Sequence, residues 1–213
     1  MSYKVQREMS VTPVIIVDDF LSEEKAAAVL EECIGLKRIY IPAKVLDGKQ
    51  SSILNEKFRK NTVVYLDNVF GEYHDRSSIL KLVLREGIFS KEAMEVWRED
   101  NTGFEMLTRC TRSETVLSRY GEGDFYDYHR DYNFNKANRL ITAVYYCNQE
   151  PAKFKGGKLI LKVGEKLLPL EPKHNRLVVF NSGAYHAVEH TILDGDKFED
   201  GRFSVNMWLG FQN

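Results

Sequence analysis

Two histidines and one aspartate stand in the carboxy-terminal half of the chain at spacings that suit a sparsely ligated metal ion. His129-Arg130-Asp131 sets an imidazole and a carboxylate two residues apart, and in an extended strand such residues share a face. His186 opens a strand-like segment just after Leu177-Val178-Val179-Phe180-Asn181-Ser182-Gly183, an apolar run ending in a polar turn. An H-x-D pair alone is commonplace in surface loops. With His186 it makes two histidines and one carboxylate, the set that suits a non-haem iron(II) site. Three protein ligands leave three octahedral positions open, two for a bidentate 2-oxo acid and one for O₂. A fully ligated metal would have no place for oxygen.

Further on, Arg202-Phe203-Ser204-Val205-Asn206 reads as a strand with Arg202, Ser204 and Asn206 on one face. A guanidinium stays ionised and donates two parallel hydrogen bonds, so Arg202 with Ser204 beside it suits the distal carboxylate of 2-oxoglutarate. Its plain alternative is a surface charge paired with some acid.

These side chains need a rigid frame, and the pattern from Thr115 onward is that of short strands. Thr115–Tyr120, Leu140–Cys147, Lys158–Val163, Arg176–Phe180, His186–Ile192 and Phe203–Phe211 are separated by Gly, Asn, Asp and Pro clusters, as in a sandwich or barrel. The earlier part mixes strands at Val14–Val17 and Thr62–Leu66 with helices. Ser22 can cap a helix whose first turn holds Glu23 and Glu24, whose apolar face is Ala26, Val29, Leu30 and Cys33, and which Gly35 ends. Two further helices are expected around Ser77–Arg85 and Lys91–Arg98.

Composition narrows the function classes. The 213 residues are 43% hydrophobic and 29% charged, with 30 basic against 31 acidic side chains, as in an ordinary globular protein. No block of like charge announces nucleic acid or an anionic membrane, and no apolar stretch approaches the roughly 20 residues of a membrane span. Cys33, Cys110 and Cys147 are widely spaced with no C-x-x-C pair; three reduced thiols in a cytoplasmic protein are expected. The oligomeric state is left open.

With these residues in hand, the sequence resembles the prolyl 4-hydroxylase-like 2-oxoglutarate/iron(II) oxygenases. The likeness runs from about Thr115 to Phe211, and Val17–Glu24 resembles the family's usual opening, whereas residues 34–110 match little. Tyr120 with Gly121 and Gly123 resembles the segment ahead of the metal motif, and Tyr126 stands three residues before His129, as the family's substrate-pocket tyrosine does. Arg139–Asn148 resembles the strand leading to the family's Y-L-N, Gly156-Gly157-Lys158-Leu159 its Gly-Gly turn, and Glu171–Phe180 the strand before the second histidine. By this likeness Tyr120 and Tyr146 hydrogen-bond the cosubstrate, while Tyr126, Arg139 and Trp208 frame a substrate proline.

The resemblance implies a mostly β fold with some α: a double-stranded β-helix (jelly roll) of about eight strands, with amino-terminal helices buttressing one sheet. One domain over 1–213 is expected, with helical support over about 1–110 and the catalytic β core over about 111–213. It implies Fe(II), with 2-oxoglutarate and O₂ as cosubstrates, and oxidative decarboxylation to succinate and CO₂ coupled to hydroxylation. A prolyl residue in a peptide or protein is the first expectation for the substrate. A free amino acid or small metabolite comes second, and a sensor without turnover third. Asp131 fills the position that halogenating relatives leave without a carboxylate. Two departures stand out. Asp194–Gly201 separates Arg202 from His186 and reads as a polar hairpin extension, because Asp-Gly pairs favour turns. His190 stands where a proline is common, and in a regular strand it would point the same way as His186. The Phe-Asn-Ser turn before His186 and Val188 after it favour His186 as ligand; His190 reads as a partly buried, hydrogen-bonded residue, and His74 and His174 as structural or exposed.

Overall fold

The computed structural model describes residues 5–8, 14–46, 52–99, 104–132 and 139–211. The amino-terminal strands are β1 (Val5–Glu8), β2 (Val14–Val17), β3 (Ile41–Pro42), β4 (Val45–Leu46), β5 (Ser52–Ile53), β6 (Arg59–Lys60) and β7 (Thr62–Tyr65). Then come β8 (Arg112–Tyr120), β9 (Phe125–His129), β10 (Arg139–Tyr146), β11 (Phe154–Gly156), β12 (Leu159–Val163) and β13 (Lys166–Leu170). The last are β14 (Arg176–Asn181), β15 (His186–Val188), β16 (Thr191–Leu193) and β17 (Arg202–Gly210). A large antiparallel sheet runs β1-β2-β14-β10-β17-β8-β7-β3, and a smaller one β13-β12-β15-β9-β6.

Alternation along β10 and β17 explains how one sheet serves both a core and a site. Ala143, Tyr145 and Cys147 with Phe203, Val205, Met207 and Leu209 pack in one apolar cluster with Val29, Cys33, Val83 and Trp97 of the helical layer. The intervening residues Thr142, Val144 and Tyr146 with Arg202, Asn206 and Trp208 line a cavity on the other face, as the two-residue period requires. A second cluster, including Val14, Val144, Val178 and Phe180 of the large sheet and Leu159, Leu161 and Leu170 of the small one, closes the space between the sheets. Truncating a fully buried residue such as Leu209 to alanine would cost about 2–5 kcal/mol.

The helices form where the capping and apolar signals stand, with one shift. Helix α1 (Glu23–Gly35) is capped by Ser22 Oγ, which accepts from the Lys25 amide at 3.4 Å, and it buries Ala26, Val29 and Cys33. Helix α2 (Leu66–Phe70) starts at Leu66, so β7 stops one residue short of the expected strand. The helix expected over Ser77–Arg85 is instead a π-helix at Ile79–Ile88. Ser77 acts as its cap: the Leu80 amide donates to Ser77 Oγ (3.1 Å), while Glu32 accepts from Ser77 Oγ (2.8 Å) and from the Ile79 amide (2.9 Å). Phe89 N–H reaches Leu84 O, five residues back, at 3.0 Å. Helix α3 (Lys91–Glu99) buries Ala93 and Trp97. Cys33 of α1 and Cys147 meet as buried thiols with their sulfurs 3.3 Å apart. No described helix is long and apolar enough to cross a membrane.

Two expected elements are built differently. His186–Ile192 is two strands, because β15 pairs with β9 and β12 whereas β16 leaves to pair with β11. Asp194–Gly201 is no hairpin: β16 and β17 belong to different sheets, so the segment has to cross between them. It does so through a 3₁₀ turn at Phe198–Asp200, where Asp200 accepts from the Lys197 amide (3.0 Å) and Phe198 packs edge-on against Tyr40 and Phe203.

Candidate metal centre

His129 ends β9 and His186 opens β15, and the two are cross-strand partners. Asp131 lies beyond the end of β9, so the two-residue alternation of a strand is not what aims it. Its amide and that of Tyr132 both donate to Ser182 O, at 3.0 and 2.9 Å, which folds the chain back over the histidines. Ligand atoms of His129, Asp131 and His186 all lie within 4.8 Å of one another, a group able to hold a metal ion. His129 Nε2 is 3.7 Å from Asp131 Oδ1, and His186 Nε2 is 3.4 Å from Oδ2.

Neighbouring groups orient each donor. His129 Nδ1 lies 2.8 Å from Asp127 O and His186 Nδ1 lies 2.9 Å from Ala184 O. A carbonyl can only accept, so each Nδ1 carries the proton and each Nε2 keeps its lone pair for a metal. Thr142 Oγ1 donates to Asp131 Oδ2 at 2.8 Å, and Ser182 Oγ stands 2.9 Å from the same hydroxyl. Burial, and then the His186 ring, drive the His129 imidazole down to about 3, so it is neutral near pH 7. Burial works against ionisation of Asp131. His186 and His129, then the Trp208 indole and the Thr142 hydroxyl, outweigh it and hold the carboxyl below its usual range. The Trp208 Nε1, which has no partner at hydrogen-bond distance, is thus turned toward this carboxylate.

The triad shares a cavity of about 540 Å³ with Tyr120, Tyr146 and Arg202. Arg202 is 1% exposed. Its Nε donates to Gly157 O (2.8 Å), its Nη1 to Ser204 Oγ (3.1 Å), and its guanidinium lies 4.6 and 5.0 Å from the ring centres of Tyr120 and Tyr146. No carboxylate among the described residues comes within ion-pairing distance of it. A buried cation without a counter-ion is costly. Nearby, Tyr146 Oη and Thr191 Oγ1 are buried without partners. Gly157 keeps this place open: at φ +63°, a Cβ there would stand 2.9 Å from both Arg202 Cδ and Thr191 Oγ1. A carboxylate brought in by a ligand would satisfy all three groups, so the residues fit the distal end of 2-oxoglutarate.

The expected substrate residues surround the triad, but they are less free than the sequence implied. Arg139 is 6% exposed and forms a two-point ion pair with Glu114, its Nε 3.2 Å from Oε1 and its Nη2 on Oε2, with its guanidinium 3.9 Å from the Trp208 ring centre. Tyr126 stacks on the His129 ring at 3.6 Å. His190 stands apart from the triad: it is hydrogen-bonded as expected, to Gly123 O at 3.2 Å, but exposed rather than partly buried, because the chain leaves β15 before it, and it stacks on Phe125 at 4.4 Å. His74 sits in a 3₁₀ turn, and His174 is half-buried with Nδ1 unpartnered. Sequence reasoning missed Thr142, Ser182, Glu114, Gly157 in its steric role, Thr191, and Arg59 beside Tyr126.

Residues 115–210 match the family model described as the 2OG-Fe(II) oxygenase superfamily. This stretch is a 2OG-Fe(II) oxygenase domain. Such domains take Fe(II) with 2-oxoglutarate and O₂, and the donor set and the Arg202 pocket fit both. An uncharacterised PKHD-type hydroxylase of Synechocystis sp. is 27% identical over 204 residues, which is 91% of this chain but 61% of that relative, so the chain spans under two thirds of its length. Among solved structures, a Trichoplax adhaerens prolyl hydroxylase in complex with a hypoxia inducible factor peptide fragment superposes with TM-score 0.68 at 19% identity, covering 92% of this chain and 83% of that one. A Pseudomonas putida prolyl-4-hydroxylase gives 0.61 at 21% identity, covering 95% and 94%. The jelly-roll fold of those oxygenases is shared.

Proposed function

We propose that this chain is a 2-oxoglutarate/Fe(II)-dependent dioxygenase that hydroxylates its substrate, a prolyl residue in a peptide or protein, within one domain over 1–213. The observation that carries the activity is the buried, acid-free Arg202 in the same cavity as a two-histidine, one-carboxylate group. His129, Asp131 and His186 hold the iron, and Thr142 and Ser182 fix the carboxylate. Arg202, Ser204, Tyr120 and Tyr146 receive 2-oxoglutarate. Iron held there beside 2-oxoglutarate would supply activation of O₂ for hydroxylation, coupled to conversion of the 2-oxo acid to succinate and CO₂. Val144, Leu159 and Val188 give the cavity part of its apolar lining. Tyr126, Trp208 and Arg139 border the substrate side, with Arg139 held in place by Glu114.

The proline reading is supported by the solved prolyl hydroxylases that share the fold, one of them holding a peptide. It is tested by 2-oxoglutarate decarboxylation against a panel of proline-containing peptides, free amino acids and small acids, with mass detection of one added oxygen. Stimulation by peptides alone supports it. Stimulation by one metabolite while peptides of varied sequence stay inert would replace it with small-molecule hydroxylation. No 2-oxoglutarate turnover in the iron-loaded protein under any condition would leave a sensor.

A further inference from the structure

Among the described residues, six cations line the cavity: Lys44, Arg59, Arg112, Arg130, Arg139 and Arg202. The described acids that face them are Asp67, Glu114 and Asp131. The acids are already committed. Glu114 takes both Arg112 (3.2 Å) and Arg139, Asp67 accepts from the Thr115 amide at 2.6 Å, and Asp131 belongs to the metal group. Arg202 lies at the cosubstrate pocket, and Lys44 and Arg130 are exposed. Arg59 remains, half-buried and close to the triad.

Its position is fixed by the small sheet. β6 pairs with β9 so that Arg59 stands opposite Tyr126. The guanidinium lies 4.4 Å from the centre of the Tyr126 ring, and that ring stacks on His129 at 3.6 Å. Arg59 Nε donates to Asn61 Oδ1 at 2.7 Å, a neutral partner. No carboxylate among the described residues lies within ion-pairing distance of Arg59. A permanent cation is therefore held one aromatic ring away from a metal ligand, with no acid among the described residues to neutralise it.

We infer that the primary substrate carries a carboxylate close to the carbon that is hydroxylated, and that Arg59 grips it. This rests on the activity proposed above and names its substrate class. Nε is committed to Asn61 and the guanidinium also meets the Tyr126 hydroxyl, both neutral partners, so its charge remains for a planar anion, and a guanidinium can engage a carboxylate through two parallel hydrogen bonds. The exposed Lys44 and Arg130 extend the positive field around the cavity and draw an anion toward it. An extended peptide advances about 3.3–3.6 Å per residue, so an Asp or Glu within two or three residues of the reacting proline would reach Arg59. The α-carboxylate of a free amino acid offers the same chemistry.

Binding is measured by calorimetry on the whole protein loaded with Mn(II) and 2-oxoglutarate. The probes are acetylated, amidated short peptides with one central proline flanked by Asp or by Asn, and free L-proline beside L-prolinamide. An acid probe should bind at least tenfold more tightly than its amide twin. Whether the peptide pair or the proline pair shows this identifies the source of the carboxylate. Arg59→Gln should erase the preference, and Arg59→Lys, which keeps the charge, should retain most of it; thermal melts establish that both variants fold. A purely structural Arg59, wedging Tyr126 against His129, would weaken acid and amide probes alike. Equal binding of the twins, no binding by any acid probe, or an undiminished preference in Arg59→Gln overturns the inference. Uncoupled 2-oxoglutarate decarboxylation by the iron-loaded wild type is assayed separately, so absent turnover counts against the activity and not against the anion site.

Discussion

Arg202 and Arg139 line the same cavity, both almost wholly buried, each with its guanidinium against aromatic rings. Arg139 is neutralised from within by Glu114, whereas Arg202 finds only a carbonyl, a hydroxyl and two ring faces. A cation with its counter-ion built in is a structural part, and one without is a receptor. On the proposed reading, one wall of the cavity is held by the protein's own ion pair and the other would be completed by a dicarboxylate.

Variants at the metal end test this contrast most severely. His129→Ala, Asp131→Ala and His186→Ala should each weaken Mn(II) binding and turnover by more than about 100-fold, since loss of an orienting neighbour alone typically costs about 10–100-fold. His190→Ala, an exposed side chain, should stay within about 0.5 kcal/mol of wild type. Metal binding lost in His190→Ala but kept in His186→Ala would refute the assignment. Next comes the arginine pair itself. Arg202→Ala should raise the apparent KM for 2-oxoglutarate at least tenfold, because a buried charge contact is worth about 2–5 kcal/mol. Arg139→Ala and Trp208→Ala should instead lower substrate hydroxylation and leave that KM nearly unchanged. Similar KM shifts from Arg202→Ala and Arg139→Ala would erase the distinction between the two arginines.

Smaller effects sharpen it. Thr142→Val removes the hydroxyl that orients Asp131 and should weaken Mn(II) binding by about tenfold, at the low end for such partners; Thr142→Ser should restore it. Tyr146→Phe and Thr191→Val each remove one neutral hydrogen bond to the incoming carboxylate. Each should cost about 0.5–1.5 kcal/mol of 2-oxoglutarate affinity, readable by calorimetry. If Thr191→Val changes nothing, the pocket is formed by Arg202, Ser204 and the tyrosines alone.

What could be read from the sequence was local. The H-x-D pair, the histidine after a polar turn, the Arg202–Ser204 face and the Ser22 cap each need only a few neighbouring residues; the three metal-site residues do come together, although Asp131 is aimed by a turn onto Ser182 and not by the strand alternation expected of it. What could not be read depends on which strand joins which sheet. The break between β15 and β16 turns His190 away from His186, and it arises because β16 pairs with β11. Asp194–Gly201 crosses between sheets for the same reason. The Arg139–Glu114 pair joins residues 25 apart on different strands, and no spacing announces it. Thr142 and Thr191 are β-branched residues in strands and read as propensity alone. The two-residue period could have placed Thr142 on the face of Val144 and Tyr146, but nothing local says that this face meets Asp131. Arg59 lay in the stretch that resembled nothing recognisable.

The acid-free Arg202 has a consequence beyond turnover. Burying an uncompensated cation is costly, so a dicarboxylate bound at Arg202, as proposed, would also act as a removable structural member. A ligand present at about 100 times its dissociation constant adds about 2.7 kcal/mol to the folded state, and each 1 kcal/mol moves the melting point of a chain this size by about 2–4 °C. Succinate, which keeps a carboxylate of the parent acid, would share part of that bracing. The lifetime of the polypeptide, and not only its rate, would then rise and fall with the supply of its own cosubstrate.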